Sequence, residues 1–184
     1  MAAWTVERMG PGGWERVRAV RLRALRDAPD AFGTTLAEDE ARPAPEWRLR
    51  LEDPDGATFV AAEGGRDVGL VVGQAYDGED GAAGLFAMWV APEARGRGLG
   101  GALVDAVVAW ARAGGYRRVL LDVADANAAA IRLYEGRGFV PTGVKGTLPP
   151  PREHIPEHQR ARELRGRGAP SRPRDGGEPG TSAP

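Results

Sequence analysis

The sequence predicts an α/β fold: one domain on a mixed, mostly antiparallel sheet of six or seven strands, with helices on both faces. Three observations predict it. Between Thr58 and Val90, three apolar, β-prone runs are separated by short glycine or polar turns, the pattern of an antiparallel meander. From Ala87 to Val123, a strand, a glycine loop, a helical rhythm and a second strand follow in succession, and two strands joined by a helix lie parallel. A length of 184 residues, 42% apolar and 28% charged, suits one ordinary core at 1–164 with a tail at 165–184.

Trp4 to Met9 alternates as a first strand, and Pro11-Gly12-Gly13 breaks it. Trp14, Val17, Val20, Ala24 and Leu25 form a helical stripe, so a helix spans Trp14 to Arg26 and Pro29 ends it. Asp30 to Glu40 reads as a loop through Phe32-Gly33-Thr34-Thr35 into a short acidic helix at Glu38, Asp39 and Glu40. Glu46 to Leu51 makes one or two further turns around Trp47. Thr58 to Glu63 and Arg66 to Tyr76 are strands joined tightly at Gly64-Gly65. After the turn Asp77 to Gly81, Ala83 to Val90 returns as the third strand.

Beyond the glycines, Leu99, Leu103, Ala106, Val107 and Trp110 keep a helical period that Gly114-Gly115 stops. Val119 to Val123 is a short buried strand. A helix opens at Asp125 or Ala126 and runs to about Arg137, and Gly138-Phe139-Val140 begins another strand. Lys145 to Pro156 reads as proline-rich loop, and Glu157 to Leu164 as a last strand or a helical turn. From Arg165 onward arginine, glycine and proline leave almost nothing to bury, which predicts disorder.

A net charge of −1 draws neither nucleic acid nor an anionic membrane. No run approaches the ~20 apolar residues of a membrane span, and no signal-peptide pattern opens the chain, so a cytoplasmic monomer or homodimer is expected. The sequence has no cysteine, which excludes a disulfide and a cysteinyl acyl-enzyme. His154 and His158 flank Pro156 and read as solvated side chains; no metal is expected.

The informative stretch is Ala87 to Leu103. Gly96, Gly98, Gly100 and Gly101 remove the Cβ atoms that would keep an anion from the backbone, and the helix N-terminus adds free N–H groups. Arg95 and Arg97 add charge that does not titrate near neutrality. Together they suit a phosphate or pyrophosphate. Gly96, Gly98 and Gly101 match a dinucleotide fingerprint, with Asp122 at about the spacing of a ribose-binding acid. Such a fold wants its first glycine directly after the strand; here the five residues Ala91 to Arg95 intervene. A P-loop reading lacks the Lys-Ser or Lys-Thr pair.

In the second stretch, Asn127 and Tyr134 are seven residues apart, nearly two helical turns, and share a face with Ile131 between them. Arg95-x-x-Gly98-x-Gly100 behind Trp89-Val90-Ala91-Pro92, followed by Asn127-x-x-Ala130-x-x-Leu133-Tyr134-x-x-x-Gly138-Phe139, resembles the GCN5-related N-acetyltransferases. Arg21 to Leu25 with Pro29 to Gly33 resembles the N-terminal helix and loop of bacterial members.

The resemblance implies a sheet splayed between the strand ending at Val90 and that of Val119 to Val123, with acetyl-CoA as donor and a primary amine of a small molecule or peptide as acceptor. The pantetheine arm would pair along Met88, Trp89 and Val90. The pyrophosphate would sit on Arg95, Gly96, Arg97, Gly98, Leu99, Gly100 and Gly101, and Asn127 would hold the arm or a water. Tyr134, whose ordinary pKa is about 10, would protonate the leaving thiolate. The strand Ala82 to Val90 has no acid, so the base is left among Glu38, Asp39, Glu40, Asp122, Asp125 and water. A non-catalytic acyl-CoA-binding module is the alternative that this missing acid raises, and a dinucleotide-binding protein is a further one.

Overall fold

The computed structural model describes residues 4–164; the tail expected from Arg165 lies outside the described residues. Its strands are β1 (Trp4–Met9), β2 (Gly56–Glu63), β3 (Arg66–Ala75), β4 (Ala82–Val90), β5 (Arg118–Ala124), β6 (Val140–Thr147) and β7 (Pro156–Glu163). They form one sheet in the spatial order β1-β2-β3-β4-β5-β7-β6. The helices are α1 (Trp14–Asp27), α2 (Leu36–Ala41), α3 (Ala44–Glu52), α4 (Leu99–Ala113) and α5 (Ala128–Glu135). Each neighbouring pair of strands is antiparallel except β4 and β5, the pair that α4 connects.

The two-residue period of β3 separates the faces of the sheet. Gly69 and Gly73 face α4, where added Cβ atoms would press on Leu103 and on Val107 and Trp110. Leu70 and Val72 line the opposite face together with Val17 and Arg21 of α1. Helices therefore cover both faces. α4 is held by Leu99, Leu103, Val104, Val107, Val108 and Ala111, all buried. Burying one such aliphatic side chain stabilises by ~1.5–3 kcal/mol. Ala106 and Trp110 of the expected stripe lie at its margin, only partly buried.

The expected splay is present. β4 pairs with β5 only through Ala82, Ala83 and Gly84, opposite Arg118, Val119 and Leu120. Beyond Gly84 that edge of β4 has no strand beside it, while β5 continues beside β7 to Ala124. A bulge helps to turn β4 away. Val72 faces Phe86 and Leu70 faces Trp89, so Ala87 and Met88 stand opposite the single residue Val71. Ala87 adopts φ 55°, the left-handed region that a side chain disfavours.

Several boundaries differ from the sequence reading. β2 starts at Gly56 rather than Thr58, and α3 is a full helix from Ala44. α5 starts after Asn127 and ends at Glu135, short of Arg137. β6 continues to Thr147 through residues read as loop, and Pro156 to Glu163 is a strand. The Gly64-Gly65 turn takes φ 56° and 77°, as a tight hairpin requires. Among the described residues no helix is long and apolar enough to cross a membrane.

Candidate active site

The splay opens a cavity of about 520 Å³. β4 contributes Leu85 to Met88, β5 contributes Asp122 to Ala124, and α5 contributes Ala130 and Tyr134. α1 and α3 supply the opposite wall through Arg21, Trp47 and Arg50. Leu148 and Pro149, ahead of β7, close one side. Arg152 fastens that segment: its guanidinium donates to the carbonyls of Pro29 and Gly33 in the loop after α1.

The glycine loop follows β4 and leads into α4. Gly96 and Gly98 have φ 75° and 85°, and a Cβ on either would meet nothing within 4 Å. They serve backbone conformation and leave open space over the amides. Gly100 and Gly101 serve packing instead. A Cβ on Gly100 would press on Leu133 and Met88, and one on Gly101 would run into the Arg137 guanidinium. The N–H of Ala102 makes the first α4 bond, to Gly98 at 3.1 Å, so the amides before it have no carbonyl partner within the helix. That end of α4 has the donors and dipole sign that a diphosphate needs.

Both loop arginines are answered by carboxylates. Arg95 bonds Asp27 at 2.5 Å and the Val90 carbonyl at 2.9 Å. Arg97 grips Glu63 with two bonds of 2.7 Å. Their charge is thus largely compensated, and their geometry fixes the loop. Trp89 is buried away from the cavity with its indole N–H on Asp27, so only its backbone remains for a ligand along β4.

Asn127 and Tyr134 both reach the cavity, with Ala130 rather than Ile131 beside them on the lining face. Asn127 is the N-cap of α5, its Oδ1 accepting from the Ala130 N–H at 3.1 Å. Tyr134 is 6% exposed and packs edge-on against Phe139. Burial raises its hydroxyl above the ordinary phenol value, so it stays protonated through the working range.

The acids sort sharply. Glu38 closes a capping box with Thr35, and Glu40 pairs with Arg26. Asp39 is wholly buried between Arg21 and Arg42. Asp125 pairs with His158. None of these four lines the cavity, whereas Asp122 does. So does Glu157 of β7, which sequence reading missed because its partner in space lies on another strand. Burial raises Asp122, with Tyr76 pulling the other way through a long 3.4 Å contact. Burial and then the charge of Asp122 raise Glu157. Two carboxylates whose proton affinity is raised, sharing a cavity with a protonated phenol, can exchange protons with a bound amine.

Comparison with known proteins decides the family. The family model described as acetyltransferase (GNAT) family matches residues 21–139. The chain belongs to the GNAT acetyltransferases. Its similarity to mycothiol acetyltransferase of Thermobispora bispora is 40% identity over 126 residues, 66% of this chain and 41% of that protein. With the same enzyme of Stackebrandtia nassauensis it is 37% over 145 residues, 75% of this chain and 45% of that protein. The GNAT chain thus spans less than half the length of these curated relatives.

Among solved structures, a GNAT acetyltransferase from Streptococcus pneumoniae superposes with a TM-score of 0.71 at 21% identity, covering 88% of this chain and 99% of that one. YncA from Salmonella typhimurium, solved with its cofactor acetyl-CoA, gives 0.70 at 19%, covering 92% and 98%. At this identity the likeness is one of fold.

Proposed function

We propose that this chain transfers an acetyl group directly from acetyl-CoA to an amine within a ternary complex. The supporting observation is the splayed edge of β4 opening into a cavity that holds Tyr134 and the Asp122–Glu157 pair, beside a helix N-terminus with free amides. The loop Gly96 to Gly101 would take the diphosphate, and the free backbone edge around Met88 the pantetheine arm and the polarised carbonyl.

The steps balance with these groups alone. An alkyl ammonium gives one proton to Glu157 or Asp122. The neutral nitrogen attacks the thioester carbon, and the C–S bond breaks. Tyr134 protonates the departing sulfur and recovers a proton from the nitrogen, which leaves an amide, a free thiol and one proton on the carboxylate. No covalent enzyme intermediate arises, consistent with a chain that lacks cysteine.

The test is thiol release from acetyl-CoA with a library of amines, products read by mass spectrometry. Tyr134→Phe is expected to lower kcat by about 10²–10⁴-fold, the usual weight of a general acid, with acetyl-CoA affinity kept. Acetyl-CoA binding with no amine modified would instead favour the non-catalytic module.

A further inference from the structure

Resting on that acetyl-transfer reading, we propose that the acceptor is an amine that also carries a carboxylate, held at the wall formed by α1 and α3. Arg21, Arg42 and Arg50 stand close enough for their charges to act on one another, and the first and last of them line the cavity. Two carboxylates answer the first two: Asp39 bonds Arg21 at 2.9 Å and Arg42 at 3.0 Å, and Glu46 takes Arg42 at 3.0 Å. Arg50 has neither. Among the described residues no carboxylate lies within 4 Å of its guanidinium nitrogens. Yet Arg50 lines the cavity.

The surroundings of Arg50 make that charge costly. Burial and then the charge of Arg42 pull it below the ordinary guanidinium value, with Asp39 and Glu46 opposing and Arg21 adding to the effect. Asp53, the other acid on this side of the cavity, accepts from the Asp55 N–H and lies outside salt-bridge range of Arg50. A guanidinium crowded by like charge and left without a carboxylate gains from an oxyanion, which it can bind in two places at once.

A second observation points the same way. The opposite wall carries the reverse charge, Asp122 on β5 and Glu157 on β7. An ammonium facing those carboxylates and a carboxylate facing Arg50 would match the cavity end to end, and would present the nitrogen near Tyr134.

The experiment pairs L-amino acids with their carboxamides, which keep the amine and remove the negative charge. Binding of each to the chain with CoA present is measured by calorimetry, a readout independent of turnover. The amino acids are expected to bind at least about tenfold more tightly than their amides. Arg50→Gln should erase that ratio while leaving CoA affinity unchanged; Arg50 is exposed enough for the variant to fold. Equal affinities within pairs, a ratio that survives Arg50→Gln, or no binding by either set would each overturn the proposal. Loss of acetyl transfer to every amine, with the carboxylate preference intact, would instead count against the enzymatic reading alone.

Discussion

The indole N–H of Trp89 donates to Asp27 Oδ2 at 2.9 Å, and Arg95 Nη2 reaches the same oxygen at 2.5 Å. One carboxylate at the end of α1 therefore ties down both the end of β4 and the loop after it. Asp27→Ala releases both donors, and a bond to a charged group contributes ~1.5–3 kcal/mol. The expected result is a rise of about tenfold or more in the dissociation constant for acetyl-CoA, with kcat little changed. Asp27→Asn, which still offers an oxygen to the indole, should recover part of the loss. Calorimetric titration with CoA checks it, and an unmoved affinity would mean that Arg95 does not set the loop.

At Ala87 the backbone takes φ 55° in mid-strand, where a Cβ costs ~1–2 kcal/mol. Glycine would lose that strain but cost ~0.5–1 kcal/mol in chain entropy. Ala87→Gly should thus leave stability unchanged or raise it by up to about 1.5 kcal/mol. A β-branched side chain fits the conformation worse still, so Ala87→Val should destabilise by ~1–3 kcal/mol. Urea denaturation of the three proteins gives the order. Equal midpoints for Ala and Val would show that the bulge relaxes.

The bulge also shows where sequence reading stops. Alanine in a run of alanine, methionine and tryptophan carries no turn signal, and the extra residue becomes visible only against Val71 on the neighbouring strand. The loop is legible from the crowding of four glycines at a helix start, but that crowding does not separate Gly96 and Gly98, which free the backbone, from Gly100 and Gly101, which make room for Leu133 and Arg137. Asn127 and Tyr134 were legible because a helical period fixes their relation. β6 was cut short because all its residues are exposed, so no buried face gave Lys145 to Thr147 a strand period. In the linear order Asp39 reads with Glu38 and Glu40 as one acidic patch. Its burial depends on Arg21 and Arg42, which the linear order does not bring together.

Asp39 has no exposed surface and accepts from Arg21, Arg42 and Thr34. Burial pushes its pKa up, but the two guanidiniums and the hydroxyl win, and the net shift is downward. A carboxylate lowered in the folded state binds fewer protons there than in the unfolded chain. Its stabilisation is therefore full above the ordinary value of about 3.9 and is lost as pH falls through the lower folded value. Asp39→Asn leaves two guanidiniums facing a neutral amide and should cost ~3–5 kcal/mol at pH 7. The gap between the two proteins should narrow below about pH 4. Denaturation at pH 7 and pH 3 tests the sign, and a gap that widened in acid would refute the assignment.

Glu157 and Asp122 carry the opposite shift, and the proposed chemistry makes it measurable. Burial raises both, and the charge of Asp122 raises Glu157 further. A group with a raised folded pKa stabilises the fold when protonated and loses that contribution as pH rises through the folded value. The working form of the base is the ionised one. Activity should be full above the raised value and fall on the acid side, with the inflection above the ordinary ~4.3 of a glutamate. Tyr134, shifted upward, adds no inflection of its own near neutrality. Glu157→Gln should remove or lower that acid limb and reduce kcat/KM for the amine by about 10²-fold or more, while the KM for acetyl-CoA holds. It should also be no less stable than the parent at pH 8, because a half-buried charge has been neutralised without breaking an ion pair. If Asp122→Asn moves the limb and Glu157→Gln does not, the proton goes to the β5 carboxylate instead. If neither variant moves it, the amine loses its proton to water before it binds.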